Sequence, residues 1–496
     1  MAKSLNILLV AGEAFPYAKE TEVGDVVGSL PLVIRDMKHD IRVMIPKYGC
    51  VSERKNKVHD INRLKEIPIK IGEEKTEMLT SKSSAMTNVR TKVQVYIATN
   101  ERYFETRKGV YHDPVKWTEY VDNLERFIFF ARSVVETCVM LGWYPDIIHC
   151  NDWQTALVPV YLKYLYPNKF KKTKTILTIH NVSKQGEYPI SMFQLLGLPN
   201  EVKDNFTHKK QLNILKGGMI YANKITTVSP SYLQQIAKDK EITNGLNVYI
   251  KENINKIQGV TNGIDMVIWN PRTDDTIPQK FEGDFNTYKT RNKIVLCDAC
   301  GLQYKENVPL VAMVTRINEQ KGIDILINAM NDLMKLNFQL VILGQGNAKM
   351  KEQLLKHQQK HSDKVSVIFA LDDSLAHLME AGSDMFLLPS RQEAGGLNLF
   401  YSLSYGSVPI VNMTGGIKDF AVPFVKKVES STNCFSINEL SPSGLFAAIE
   451  KAISIYKDKK SWEQIVKNGM NGDYSWKESA IQYIEIYKKL LAKDEE

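Results

Sequence analysis

The amino-acid sequence predicts an α/β protein of two successive domains, and three observations carry that reading. Short apolar or β-branched runs alternate with amphipathic helical stretches, the pattern of repeated βαβ units. The alternation lapses over residues 244–300, which are rich in Asn and contain Gly259, Gly263 and Pro271, and it restarts at Pro309. The length of 496 residues exceeds what one hydrophobic core ordinarily organises.

In the first half, residues 5–10 read as an apolar strand ended by Gly12, residues 23–37 as a helix, and residues 41–45 as a buried strand closed by Pro46. Residues 54–84 are polar and irregular, as hairpins or an insertion in the sheet order would be. Strands follow at 93–98, 147–149, 174–179 and 224–228, with helices at 124–140, 209–222 and from 232. In the second half, strands at 311–314, 339–343, 365–369, 384–388 and 409–411 alternate with helices at 322–336, 349–357, 374–380 and 397–405. The last helix, 475–491, repeats Trp476, Ala480, Tyr483, Ile484, Tyr487 and Leu490 at three- and four-residue intervals, which marks a packing face.

Composition excludes several classes. An apolar fraction of 44% and a charged fraction of 24% are those of a soluble globular protein. No run of eighteen apolar residues suits a membrane span. Met1-Ala2-Lys3-Ser4 passes straight into the first strand, leaving no room for a signal peptide, and the six scattered cysteines fit a reducing compartment. The cytoplasm is therefore the expected location. Cys297 and Cys300 have redox spacing but no second pair, and no metal site is expected. The formal charge of +8 is spread along the chain without aromatic interleaving, which favours solvated faces over a nucleic-acid surface. Neither a glycine-rich dinucleotide fingerprint nor a phosphate-binding P-loop is present, so a dehydrogenase or nucleoside triphosphatase is not supported.

The chemistry is expected at the carboxyl ends of strands, where open α/β sheets bind ligands, and two such domains imply an active cleft between them. Glu393 follows the strand at 384–388 and precedes Gly395, Gly396 and a helix; Thr414-Gly415-Gly416 begins the next turn. Two such turns side by side make a donor-rich cradle for an anion, although Gly-Gly pairs also punctuate ordinary α/β loops. Arg316 and Lys321 follow the first strand of the second half, five residues apart. Two fixed cations can neutralise a diphosphate, and equally they can cap and solubilise a turn. Lys19, Asp25, Asp152 and His180 sit at strand ends in the first half, His180 being also compatible with a satisfied core imidazole.

Ordered motifs then point further. They are Glu13-Ala14-Phe15-Pro16 with Lys19, Gly24-Asp25-Val26-Val27-Gly28, Pro46-Lys47-Tyr48, Asn151-Asp152-Trp153, Thr178-Ile179-His180-Asn181 and Thr227-Val228-Ser229-Pro230. Thr261-Asn262-Gly263-Ile264-Asp265 with Trp269-Asn270-Pro271, Arg316 with Gln320-Lys321-Gly322, Pro389-Ser390-Arg391 with Glu393, and Thr414-Gly415-Gly416 complete the set. In these the chain resembles, over almost its whole length, the bacterial glycogen synthases and plant starch synthases. Those are retaining glucosyltransferases of the GT-B fold, in which two Rossmann-like domains face each other across a cleft. The resemblance implies an acceptor-side domain at 1–255, a nucleotide-sugar domain at 256–474, and a helix at 475–496 crossing back to the first. It implies transfer of glucose from ADP-glucose, with UDP-glucose the lesser option, to the non-reducing end of an α-1,4-glucan. It assigns Arg316, Lys321 and Lys19 to the donor phosphates together with the amides of Thr414, Gly415 and Gly416. Glu393 and His180 fall to the donor sugar and Asp25 to the shape of the pocket. No cofactor beyond the donor substrate, no metal, no membrane and no nucleic acid is implied.

One loop departs from the family's Lys-x-Gly-Gly pattern: Thr21 and Glu22 stand where the two glycines belong. Side chains there block close backbone approach to phosphate, and a carboxylate at Glu22 faces a dianion. A mismatch of roughly 1.4 kcal/mol weakens donor binding about tenfold, so glycines at both positions are expected to lower the donor KM. Further departures are Ala394-Gly395 after Glu393, Ser404 in the next helix, and Asn412-Met413 before Thr414. They favour a second reading, a catalytically impaired relative that binds glucan or acts as a partner or regulatory subunit. The retained Lys19, His180, Arg316, Lys321 and Glu393 favour an active synthase.

Overall fold

The computed structural model describes residues 4–88 and 90–492. It divides into two compact units, one running to Asn262 and resuming at Trp476, the other comprising Gly263–Ser475.

The first unit is built on a ten-stranded sheet. In spatial order it runs Ile257–Gly259, Lys224–Thr227, Lys174–Ile179, Ile147–Asn151, Asn6–Val10, Asp40–Pro46 and Lys92–Thr99, all parallel. Lys75–Thr87 and His59–Asp60 extend it antiparallel, and Ile67–Ile71 pairs with Lys75–Thr87 as a hairpin. The central strands carry near-continuous apolar runs because helices cover both faces of a parallel sheet. The hairpin strand instead alternates, with Ile67, Ile69 and Ile71 buried and Pro68 and Lys70 exposed. The polar stretch at 54–84 is thus the antiparallel edge of the sheet. The strand Asn6–Val10 lies between Asp40–Pro46 and Ile147–Asn151, so the winding reverses there. Such switch points open a crevice at the carboxyl ends of the strands.

The final helix, Lys477–Ala492, belongs to this unit and packs on the helix Glu22–Asp36. Its repeating stripe is a packing face, with Ala480, Tyr483, Ile484 and Tyr487 buried. The Tyr487 hydroxyl meets His149 Nδ1 at 2.8 Å, and His149 Nε2 meets Thr178 Oγ1 at 2.5 Å.

The second unit carries a six-stranded parallel sheet in the order Val365–Ile368, Gln339–Leu343, Leu310–Val314, Met385–Leu388, Val408–Asn412, Phe435–Ile437. Its switch point lies between Leu310–Val314 and Met385–Leu388, and the loops holding Arg316 and Glu393 leave there.

Two readings of the sequence needed correction. Residues 209–222 are not one helix. Lys209 and Lys210 adopt φ +48° and +64°, which reverses the chain so that Gln211–Asn213 pairs with Thr207–His208. The helix Ile214–Tyr221 starts only when the Asn213 side chain accepts from Lys216 N. The lapse at 244–300 also hides the 15-residue helix Phe285–Ala299. Its buried face includes Lys289, Asn292 and Lys293, which breaks the apolar period that would have announced it. Lys293 Nζ pairs with Asp384 at 2.6 Å, and Lys289 Nζ donates to the Ser383 carbonyl at 2.7 Å.

Removing the Tyr487 hydroxyl orphans a buried imidazole nitrogen at a cost of about 1–3 kcal/mol. Tyr487→Phe is therefore expected to lower Tm by a few degrees in calorimetry, and an unchanged Tm would show that the final helix is held by apolar contact alone.

Candidate functional site

Of the residues singled out from the sequence, Lys19, Asp25 and His180 lie in the first unit. Arg316, Lys321, Glu393, Thr414, Gly415 and Gly416 lie in the second.

In the second unit, two neighbouring strands deliver two loops that are stitched together. After Leu310–Val314, the Asn318 side chain accepts from Lys321 N and shapes a single turn over Glu319–Lys321. After Met385–Leu388, Pro389 breaks the strand and residues 390–396 run to the helix Leu397–Ser404. Arg391 N donates to the Gln320 carbonyl at 2.9 Å, and its guanidinium grips Asp324 in a bidentate pair, both contacts 2.6 Å. Gln320 Nε2 donates to Gln392 Oε1 at 3.2 Å. Gly322 passes under Pro389 at φ +74°, where a Cβ would lie 2.1 Å from the Pro389 carbonyl oxygen. Only glycine suits that position on both counts.

This stitching brings Lys321 Nζ to 2.7 Å from Glu393 Oε2, the side chains only 10% and 4% exposed. Arg316, on the same loop and half-buried, makes no ion pair among the described residues. Thr414 Oγ1 donates to the Arg391 carbonyl at 3.2 Å, setting the third turn against the second. Gly416 N donates to the carbonyls of Glu393 at 3.0 Å and Ala394 at 3.1 Å. The expectation that the amides of Thr414 and Gly416 face an anion is thereby corrected: Thr414 N donates to the Asn412 carbonyl at 2.9 Å, and the Gly416 amide ties the glycine turn to the Glu393 loop. Asn412 donates through Nδ2 to the Ser390 carbonyl at 2.8 Å.

In the first unit, His180 ends the strand Lys174–Ile179 and is buried. Asn151 Nδ2 donates to the Val10 carbonyl at 3.0 Å, which leaves its Oδ1 as acceptor for His180 Nε2 at 2.8 Å. His180 therefore carries its proton on Nε2 and keeps Nδ1 as an acceptor. Burial pulls its pKa down to about 3, so the ring is neutral at physiological pH. Asp152, at φ +56°, accepts from His180 N at 2.7 Å; burial raises its pKa to about 7, against the pull of the His180 and Asn181 amides.

Lys19 Nζ and Asp25 pair at 2.8 Å. Asp25 lies in the first turn of the helix Glu22–Asp36, favoured there by the helix dipole. Thr21 takes φ −130° and ψ 177°, an ordinary extended conformation, and its hydroxyl accepts from Val23 N as the helix N-cap. Behind the loop lies Glu13, fully buried, with its pKa raised by burial to about 7 despite hydrogen bonds from Thr21 and Glu20.

The sequence reading did not find Asn151 as the partner of His180, nor Asp324 as the anchor of Arg391. The second had a signal, a carboxylate in the first turn of the helix that follows Gly322. Among the described residues, no group of three or more His, Cys, Asp or Glu is arranged to hold a metal, and no helix is long and apolar enough to cross a membrane.

Gly322→Ala is expected to cost roughly 1–3 kcal/mol in backbone strain and to separate the two loops, seen as a lower Tm and weakened donor binding together. Loss of one without the other would show that the loops are not stitched through Gly322. For His180 the sign follows from its depressed pKa: the unfolded imidazole binds a proton below about 6.5 while the folded one resists until about 3. Stability is thus lost as pH falls through that window. His180→Gln should lose less stability than the parent between pH 7 and 4, measured by thermal melts; parallel losses would contradict the buried neutral ring.

Comparison with known proteins places these features. Residues 6–252 match the family model for the starch synthase catalytic domain, and residues 301–470 that for glycosyl transferases group 1. The glycogen synthase of Clostridium beijerinckii is 37% identical over 497 residues, covering 99% of this chain and 100% of that one. That of Chlorobaculum parvum is 34% identical over 493 residues, covering 99% of both. Among solved structures, the catalytic domain of starch synthase IV from Arabidopsis thaliana, bound to ADP and acarbose, matches with a TM-score of 0.89 and 28% identity. It covers 99% of this chain and 100% of that one. Sucrose-phosphate synthase from Thermosynechococcus elongatus shares the fold, with a TM-score of 0.60 at 13% identity, 98% of this chain and 99% of that one being covered.

Proposed function

We propose a donor-handling scheme from one premise: the chain belongs to the glycogen synthase and starch synthase family of glycosyltransferases. Its fold is GT-B, and its activity is hexosyl transfer to a glucan. The scheme takes ADP-glucose as donor, which the ADP bound to the Arabidopsis relative supports, and the non-reducing end of an α-1,4-glucan as acceptor. It calls on no cofactor beyond that donor. The cytoplasm is its proposed setting, a reading the six free cysteines support.

The observation that carries the scheme is the buried Lys321–Glu393 pair at the switch point, with Arg316 on the same loop. As the bond from glucose C1 to the diphosphate oxygen breaks, its electron pair stays on that oxygen. The acceptor hydroxyl oxygen bonds C1 on the same face, and its proton passes to the departing diphosphate. Negative charge therefore grows on the leaving group, where fixed cations stabilise the transition state more than the ground state. Arg316, with no carboxylate partner among the described residues, supplies a full charge; Lys321 is shared between Glu393 and the phosphate. Glu393 in turn is held by Lys321 where it accepts hydrogen bonds from the donor sugar. Thr414 and Gly415 line the phosphate side, and Lys19 contributes a third cation with Asp25 as its counter-ion. His180, neutral and with a free Nδ1 acceptor, orders a sugar hydroxyl without adding charge.

Purified protein given ADP-glucose or UDP-glucose and a short maltooligosaccharide should release nucleoside diphosphate and lengthen the acceptor, faster with ADP-glucose. Lys321→Ala should lower kcat/KM by about 10²–10³, the size expected for removing one stabilising group from a developing anion. Turnover by the parent no greater than that of Glu393→Ala would overturn the scheme in favour of a glucan-binding, catalytically impaired homologue.

A further inference from the structure

The loop between Lys19 and the first helix is held by side chains on two sides. Towards the sheet, Glu13 Oε2 accepts from Glu20 N at 2.5 Å and Thr21 N at 3.0 Å. Glu13 Oε1 accepts from the Thr21 hydroxyl and, at 3.2 Å, from the Tyr111 hydroxyl. Towards the segment that follows, Glu20 Oε2 accepts from Val110 N at 3.2 Å, Tyr111 N at 3.0 Å and His112 N at 3.4 Å. Glu20 Oε1 meets His112 Nδ1. His112 Nε2 reaches Glu119 at 3.7 Å, and Lys184 Nζ holds Glu119 at 2.9 Å.

Thr21 therefore makes three linked contacts. Its amide and hydroxyl both bind Glu13, and its hydroxyl oxygen caps Val23 N at 3.2 Å. Glycine can supply the amide contact only. Glu20 draws three successive backbone amides and an imidazole onto one carboxylate. Burial favours the neutral His112 ring, yet the hydrogen bonds it donates to Glu119 and Glu20 outweigh it and raise the pKa to about 9, so the contact is charge-assisted. Lys19 stands directly before this anchored pair. A Cβ on Gly24 would lie 3.0 Å from Lys19 Cγ, so the lysine stem is packed on that glycine, and its head is tied to Asp25.

We propose that Glu20, Thr21 and His112, closed on Glu13, form a clasp that positions Lys19 for the donor's diphosphate. The clasp gives this loop a set shape through side chains, so Thr21, at the first of the two glycine positions, helps donor binding. The expectation from the sequence ran the other way. The inference rests on Lys19 touching the donor phosphates, as in the scheme above, and makes Glu20, Thr21 and His112 positioning residues.

The test is calorimetric titration with ADP, which needs no turnover, alongside donor kinetics and amide hydrogen exchange of residues 20–23 and 110–112. Thr21→Gly should weaken ADP binding about tenfold, raise donor KM with little change in kcat, and speed exchange in both segments. Thr21→Ser, which keeps the cap and the Glu13 contact, should restore all three. Glu20→Gln, which keeps the shape and loses the charge, should show a smaller shift in the same direction. In a Lys19→Ala background, Thr21→Gly should have no further effect on ADP affinity. Unchanged or tighter ADP binding in Thr21→Gly overturns the proposal, as does an additive effect in the Lys19→Ala background. Absence of turnover in the parent with these binding shifts intact would sink the enzymatic scheme and leave the clasp standing.

Discussion

A lysine and a glutamate shut away from water on the loops that leave the two central strands of the second sheet impose the local design. Removing two charges from solvent costs several kcal/mol each, and the pair recovers this only while its geometry is held. Taking away either partner strands a buried charge, typically at about 3–5 kcal/mol. The loops that carry Lys321 and Glu393 therefore have to move together or not at all. Their other contacts serve that end: the Arg391–Asp324 fork, the Arg391 amide on Gln320, and a Gly322 backbone lying where no side chain fits.

Several buried polar groups of the first unit are handled differently from this pair. His180 and His149 both have their pKa values pulled down by burial to about 3, and Asp152 and Glu13 have theirs pushed up to about 7. These groups are hydrogen-bonding fixtures whose value lies in direction, not charge. A low local dielectric strengthens each hydrogen bond and penalises any that is lost, which keeps such networks unique in arrangement.

Much of the fold was legible because its signals are local. The strand Lys174–Ile179 and the strand Gln339–Leu343 have the bounds their apolar runs imply, and the final helix buries the stripe that Tyr483, Ile484 and Tyr487 draw. Legibility failed where a buried face is polar or a turn uses an unusual residue. The helix Phe285–Ala299 turns two lysines inward, a choice that makes sense only with Asp384 and the Ser383 carbonyl opposite. The hairpin before Ile214–Tyr221 depends on two lysines with positive φ, and lysine does not announce a turn as glycine does.

From the sequence alone came the α/β class, the order of elements, the family and the identities of Lys19, Asp25, His180, Arg316, Lys321 and Glu393 as residues of interest. Those follow from period, spacing and motif, which are properties of neighbours along the chain. The tertiary structure decided the surroundings of several of them. It set Lys321 against Glu393, gave Arg316 no carboxylate partner among the described residues, and gave His180 its tautomer through Asn151 and Val10. It gave Thr21 a cap and a partner in place of a vacancy left by glycine, and committed the Gly416 amide to the Glu393 loop. Charge state, hydrogen-bond direction and burial depend on groups that range from a few to more than a hundred residues apart in sequence, and only folding brings them within reach.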